Sequence, residues 1–258
     1  MTQDLKAKLQ SRDLVFGSWV SFSHPSITEI FAAQSFDFHA IDMEHTTISL
    51  EQAQRIIAAS QASNVPCLPR PVSHSNDYIK PLLDSGADGI IAPLVHNGAL
   101  SQSIVDLMKF PPDGKRSFGV NRAHGYGLKF NEYLANWNAT SVYIAQIESI
   151  DAVKNISEIL KNPYLDGVMI GPYDMSGSLG VPGQVSHPLM LEAERKVIES
   201  CKKAKKSCGT QLADFSKSNI DQAIQKGYTF IIASSDLFIL NAWAENAGSL
   251  MESYRLWG

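Results

Sequence analysis

Short apolar runs bounded by turn residues recur along the chain: VFGSWV near residue 15, FHAIDM near 38, VPCLPR near 65, GIIAPLV near 89, VYIAQIE near 142, GVMIG near 167, SCGTQLA near 207 and YTFIIAS near 228. Each has the length and composition of a buried strand. Between them the apolar spacing becomes helical, over residues 26–33, 50–62, 76–85, 98–110, 152–161, 188–206 and 217–226. Ser49 followed by Gln52 reads as a capping box for the second of these helices. Strand and helix alternating in this way imply parallel strands with right-handed crossovers, and eight such units close most commonly into a (β/α)8 TIM barrel. A doubly wound open sheet is the alternative, but no GxGxxG follows the first strand.

Two stretches stand outside this rhythm. Residues 110–141 contain FPPDGKRSFGVNRAHGYG, too rich in Gly, Pro and charge for a plain connector, and long structured loops on a rigid scaffold often border active sites. The last helix, from about Leu237 to Trp257, presents Leu237, Phe238, Leu240, Trp243, Met251, Tyr254 and Trp257. An apolar face of that length covers this barrel or a neighbour's, and exchange of the helix between subunits is one way to use it.

A length of 258 residues suits one barrel domain spanning 1–258, and 44% hydrophobic residues suffice for its core. The net charge of -4 and the absence of a long basic run argue against nucleic-acid and anionic-membrane partners. Cys67, Cys201 and Cys208 show no CxxC spacing. The polar, amphipathic start MTQDLKAKLQSRD does not read as a signal peptide, so the expected compartment is the cytoplasm.

In such a barrel, chemistry belongs at the C-terminal ends of the strands. The second strand ends in Asp42, Glu44 and His45, and the third in Arg70; the fifth supplies Gln146 and Glu148, and the sixth runs into Gly171, Pro172, Tyr173 and Asp174. Glu148 and Asp174 end consecutive strands, so they converge, and two converging carboxylates take up either a proton or a cation. Hard oxygen ligands in so small a number suit Mg²⁺ or Mn²⁺. The same pattern fits a pair of acids capping the helices that follow. Asp42 and Glu44 equally fit acceptors for loop amides, His45 a loop histidine, and Arg70 a structural ion pair with one of these acids. No lysine lies at a strand end; Lys115 and Lys129 are in the long loop, which disfavours a Schiff-base mechanism. Ser234-Ser235-Asp236 lacks the glycines of a phosphate cradle, and Asp236 reads as a helix N-cap.

The segments IDMEH at 41–45, LPRP at 68–71, LLDSGADGIIAPLV at 82–95, PPDGKR at 111–116, QIES at 146–149 and GPYDMSGSLG at 171–180 resemble, in order and spacing, the HpcH/HpaI aldolase family. The resemblance implies a metal-dependent class II pyruvate aldolase that cleaves a 4-hydroxy-2-oxo acid to pyruvate and an aldehyde. It implies a barrel assembled as a hexamer, a trimer of dimers, with an exchanged C-terminal helix, and a bound Mg²⁺, Mn²⁺ or Co²⁺. By similarity Glu148 and Asp174 are the metal ligands, Arg70 contacts the 2-keto oxygen, and Gln146 and the 171–174 turn line the keto-acid site. His45 paired with Asp84 is the acid/base group, acting through a water. Asp84 falls near a helix C-terminus facing the opposite rim, so a neighbouring subunit is the expected source of that pairing. Ser117 and Thr46-Thr47 depart from the family's usual residues in regions that shape the aldehyde side. The rival functions are an oxaloacetate-type decarboxylase, a CoA-ester lyase of the same superfamily and a non-catalytic keto-acid-binding barrel.

Overall fold

The computed structural model describes the backbone of residues 2–255. Strands β1 (Val15–Val20), β2 (Phe38–Asp42), β3 (Cys67–Arg70), β4 (Gly89–Ala92), β5 (Val142–Ile147), β6 (Gly167–Ile170), β7 (Ser207–Leu212) and β8 (Phe230–Ala233) form one parallel sheet in the order β3-β2-β1-β8-β7-β6-β5-β4. The remaining seam, between β3 and β4, is bridged at one end by the Asp88 N–H donating to the Cys67 carbonyl at 3.0 Å and the Cys67 N–H donating to the Asp88 carboxylate at 2.9 Å. The result is a nearly closed (β/α)8 TIM barrel, as the alternation of elements predicts.

Helices α2 (Pro25–Ala32), α3 (Leu50–Ala62), α4 (Asn76–Asp84), α5 (Gly98–Met108), α10 (Pro188–Ala204) and α11 (Lys217–Lys226) occupy the expected intervals. The capping box of Ser49 and Gln52 is present. Three features escaped the pattern. The polar N-terminal segment is helix α1 (Thr2–Ser11), whose Leu5 and Leu9 are buried with the barrel-interior residues Val15, Phe38, Val142 and Phe230. The long interval holds a single turn of 3-10 helix (Arg122–His124) and then α6 (Phe130–Thr140). The helix expected over 152–161 is two short pieces, α7 (Ile150–Lys154) and α8 (Ile156–Ile159), followed after β6 by the short α9 (Pro172–Ser178).

Strand side chains alternate between the barrel axis and the surrounding helices. Inward positions carry Val15, Trp19, Phe38, Ala40, Leu68, Ile91, Val142, Ile144, Met169, Phe230 and Ile232, which form one cluster. Outward positions such as Ile41, Cys67, Ile90 and Val168 join the larger cluster under the helices. Glycine makes room for the rings inside: a Cβ on Gly209 would lie 2.1 Å from the Phe230 ring, and one on Gly17 would lie 2.4 Å from the Phe38 ring. Continuing each inward alternation to the strand's C-terminal end gives Asp42, Arg70, Gln146 and Gln211. The top layer is therefore polar where the layers beneath are apolar.

Helix α12 (Asp236–Arg255) does not pack down on this barrel; Leu237, Phe238, Leu240, Trp243, Met251 and Tyr254 are exposed. Trp257, expected on the same face, lies outside the described residues. Asp236 is the first residue of α12. Its carboxylate accepts from the Ser21, Phe22 and Leu237 amides, while Ser235 Oγ accepts from Phe238 N. Among the described residues no helix is long and apolar enough to cross a membrane.

Candidate active site

The register of β2 and β3 sets Asp42 opposite Arg70. Asp42 Oδ1 accepts from Arg70 Nε at 3.1 Å and from Nη2 at 2.8 Å, and also from the Glu44 and His45 amides at 3.1 and 3.2 Å. One carboxylate oxygen thus fixes the guanidinium and folds the chain that carries Glu44 and His45. The guanidinium also lies 4.7 Å from the centroid of the Trp19 ring. Its Nη1 is turned away from Asp42, 3.3 Å from Gln146 Oε1 and 3.1 Å from Glu44 Oε2. The contact with Glu44 is an ion pair without hydrogen-bond geometry, so Glu44 Oε2 is buried with no directed donor.

On the other side of the mouth, Glu148 is 3% exposed. Its Oε1 accepts from the Leu94 amide and its Oε2 from Gln146 Nε2, both at 2.6 Å. Burial pushes the Glu148 carboxyl up to about 7; the Leu94 amide opposes this, and the negative charges of Glu44 and Asp174 add to it. Burial likewise raises Glu44, against the opposing charge of Arg70. Asp174 is exposed in the first turn of α9, after Gly171 and Pro172. Gly171 is required by close approach, since a Cβ there would lie 2.6 Å from Glu148 Oε2 and 2.9 Å from Gln146 Nε2.

Arg70, His45, Gln146, Gly171, Pro172, Tyr173 and Asp174 line a cleft of about 330 Å³, together with Met169, Gln211, Ala213 and Phe238. His45 stands at its rim, 61% exposed, with Nε2 3.7 Å from Glu44 Oε2. The structure thus gathers the expected strand-end residues. Asp84 lies at the end of α4, on the opposite rim, where it pairs with the buried Arg116 at 2.7 Å and not with His45 of its own chain. Sequence reasoning missed Trp19, Gln211, Phe238 and the Leu94 amide. Gln211 was accessible as a polar inward residue ending β7, whereas Trp19 is indistinguishable from a core residue by pattern.

The donor set fits a divalent cation. Three carboxylates, Glu44, Glu148 and Asp174, crowd one mouth; burial raises the pKa of Glu148 and of Glu44, and Glu44 has a buried oxygen with no hydrogen-bond donor. Among the described residues no group of three or more His, Cys, Asp or Glu side chains is arranged as a metal site. Two carboxylates would leave the other positions to water and substrate, as Mg²⁺ and Mn²⁺ commonly do.

A hydroxypyruvate/pyruvate aldolase of Roseobacter denitrificans is 30% identical over 238 residues, covering 91% of each chain. A 2-keto-3-deoxy-L-rhamnonate aldolase of Salmonella typhi is 33% identical over 204 residues, covering 78% of this chain and 74% of the relative. The crystal structure of an HpcH/HpaI aldolase/citrate lyase family protein from Burkholderia cenocepacia superposes with a TM-score of 0.90 at 28% identity, covering 97% of this chain and 99% of that one. The family model for HpcH/HpaI aldolase/citrate lyase matches residues 15–241, which takes in every strand and every residue lining the cleft. A polar mouth built on Asp42, Arg70 and Glu148 and relatives of matching length lead to one assignment: the chain belongs to the HpcH/HpaI aldolase/citrate lyase family.

Proposed function

We propose that this protein is a divalent-metal-dependent pyruvate aldolase, a carbon-carbon lyase that reversibly cleaves a 4-hydroxy-2-oxo acid of the 2-keto-3-deoxy type to pyruvate and an aldehyde. The observation that carries the reading is the guanidinium of Arg70, locked by Asp42 and Trp19 so that Nη1 lies beside Glu44 and Gln146 at a cleft lined by His45, Gln146 and Asp174. Glu148 and Asp174 would hold the cation, Mg²⁺ or Mn²⁺ with Co²⁺ as a substitute. When bound it supplies Lewis-acid polarisation of the keto acid.

The chain's own groups do the rest. Amides in the first turn of α9, at Tyr173 and Asp174, lack intrahelical acceptors and bind the substrate carboxylate. Gln146, tied to both Glu148 and Arg70, sets the plane in which the keto acid lies. His45, at the rim of the cleft, takes the proton of the C4 hydroxyl through a water as the C3–C4 bond breaks and the aldehyde leaves. Arg70 presents a preformed positive donor to the oxygen of the pyruvate enolate, an arrangement worth about 3 kcal/mol in comparable sites. Protonation at C3 completes pyruvate.

The active form we propose is a homo-oligomer, a hexamer built as a trimer of dimers, in the cytoplasm, acting on small molecules without nucleic-acid or membrane partners. The exposed apolar face of α12 supports exchange of this helix. So does an uncovered groove of about 310 Å³ between α2 and α11, lined by Phe16, Phe36, Phe215 and Ile220 with Gln34 and Ser35. Asp84 sits beside the exposed, apolar Phe118–Val120 loop, where a neighbouring subunit could bury both and bring Asp84 to a His45 not its own. Pyruvate release from a panel of 4-hydroxy-2-oxo acids and oxaloacetate, with and without chelator, tests the reading. Chelator-sensitive release from the hydroxy acids is expected. Release from oxaloacetate alone, or release indifferent to chelation, would overturn it.

A further inference from the structure

Leu94 follows β4 in the left-handed region, with φ 50° and an exposed side chain. A non-glycine residue there is strained, and strain of this kind persists where surrounding structure over-determines it. The conformation turns the Leu94 N–H onto Glu148 Oε1. The carbonyl of the same peptide group, that of Pro93, accepts from His74 Nε2 at 2.5 Å. A carbonyl only accepts, so His74 carries its proton on Nε2. The turn is fixed further along by Val95 N donating to the Gln146 carbonyl at 3.2 Å, by His96 Nδ1 with Ser149 Oγ at 3.1 Å, and by Asn155 Nδ2 donating to the His96 carbonyl at 3.0 Å.

We propose that His74 is a positioning residue for Glu148, acting through the Pro93–Leu94 peptide: imidazole N–H to carbonyl, then amide N–H to carboxylate. A peptide group is planar, so orienting its carbonyl orients its N–H. Hydrogen bonds in series also polarise one another. His74 comes from the loop after β3 and Glu148 from the end of β5, so the relay spans the β3–β4 seam, where the barrel's own ladder is missing. It deepens the function proposed above, because it assigns what aims the cation-binding carboxylate.

The test uses the full-length protein with His74→Ala and His74→Gln, the latter placing an amide N–H about where Nε2 stands. Three quantities are read: Mn²⁺ affinity by electron paramagnetic resonance without substrate, amide exchange at Leu94 and Ile91 in the metal-free protein, and the thermal midpoint. For H74A we expect Mn²⁺ binding weakened about tenfold or more, as for other residues that orient metal ligands. Leu94 exchange should be at least about tenfold faster while Ile91 and the midpoint hold, and H74Q should restore most of both losses. Unchanged Leu94 exchange in H74A, equal acceleration at Ile91, or no rescue by H74Q would each overturn the proposal. Should the wild-type protein bind no Mn²⁺, the metal assignment of the preceding section fails, while Leu94 exchange still decides the role of His74.

Discussion

Arg70 donates through both Nε and Nη2 to one oxygen of Asp42, and that oxygen also gathers the amides of Glu44 and His45. Asp42 therefore orients three groups of the mouth without facing the cleft itself. Asp42→Ala should lower kcat/KM by roughly 10²-fold, because a freed guanidinium no longer meets the developing charge in a fixed pose. Coupled pyruvate assays measure it, and retention of wild-type kcat/KM would deny Asp42 this role.

Arg70→Ala should lower kcat by about 10²–10³-fold, the cost of removing a preformed oxyanion donor. Mn²⁺ affinity, measured by calorimetry, should change by much less. Arg70→Lys should recover little, since an ammonium cannot reproduce the forked contact with Asp42. Equal loss of turnover and metal binding would make Arg70 a structural residue.

Glu148→Gln and Asp174→Asn should each remove metal-dependent activity. Glu148 also sets a pH dependence in the metal-free protein. Its folded pKa, about 7, lies above its ordinary value of 4.5. The contribution to stability is therefore fully present below about 4.5 and is lost as pH rises through about 7, by roughly 3 kcal/mol as an upper bound. Buried His39, held down at about 4, contributes stability that rises with pH over much of the same window, so the readout is a difference. The metal-free melting temperature of the wild type should fall relative to that of Glu148→Gln across that window, and Mn²⁺ should reverse the fall. A wild-type melting temperature that rises relative to that of Glu148→Gln from pH 5 to 7 would contradict this.

Gly171→Ala should leave the fold intact and disable the site, because the added methyl meets Glu148 Oε2 at 2.6 Å and Gln146 Nε2 at 2.9 Å. We expect at least about tenfold weaker Mn²⁺ binding and a similar loss of kcat, the scale seen when support of a metal ligand is disturbed. A calorimetric titration with unchanged affinity would show that the carboxylate yields without consequence.

Trp243→Glu on α12 and Phe215→Glu in the groove between α2 and α11 should both lower the mass in solution measured by light scattering. The Phe16 and Phe215 rings meet edge to face at 6.0 Å and form the apolar floor that an incoming helix would cover. A wild-type protein that runs as a monomer would remove the basis for helix exchange.

The barrel was legible because buried parallel strands are written as uninterrupted apolar runs, and those of VYIAQIE and GVMIG survive in β5 and β6 nearly as read. Glu148 and Arg70 were legible for a related reason: an inward position that turns polar at the end of such a run stands out. Leu94 was not, because what it contributes is a backbone N–H, and no side-chain pattern records the φ that aims it. Helix α1 was hidden by polarity, since among its described side chains only Leu5 and Leu9 are buried to seal the barrel floor. The partner of Asp84 was hidden in another way: Arg116 lies on a distant loop whose path depends on stacking against Phe110, Tyr133 and Trp137.

The phenyl rings of Phe38 and Phe230, seated over Gly17 and Gly209, make the barrel axis a blind alley. Nothing can arrive from behind a bound keto acid. In the proposed cleavage, the hydrogen that ends up on C3 must come through the doorway by which the aldehyde departs, and so is added to the side just vacated. Pyruvate formed in heavy water from a substrate chirally labelled with tritium at C3 should consequently show retention at its methyl group.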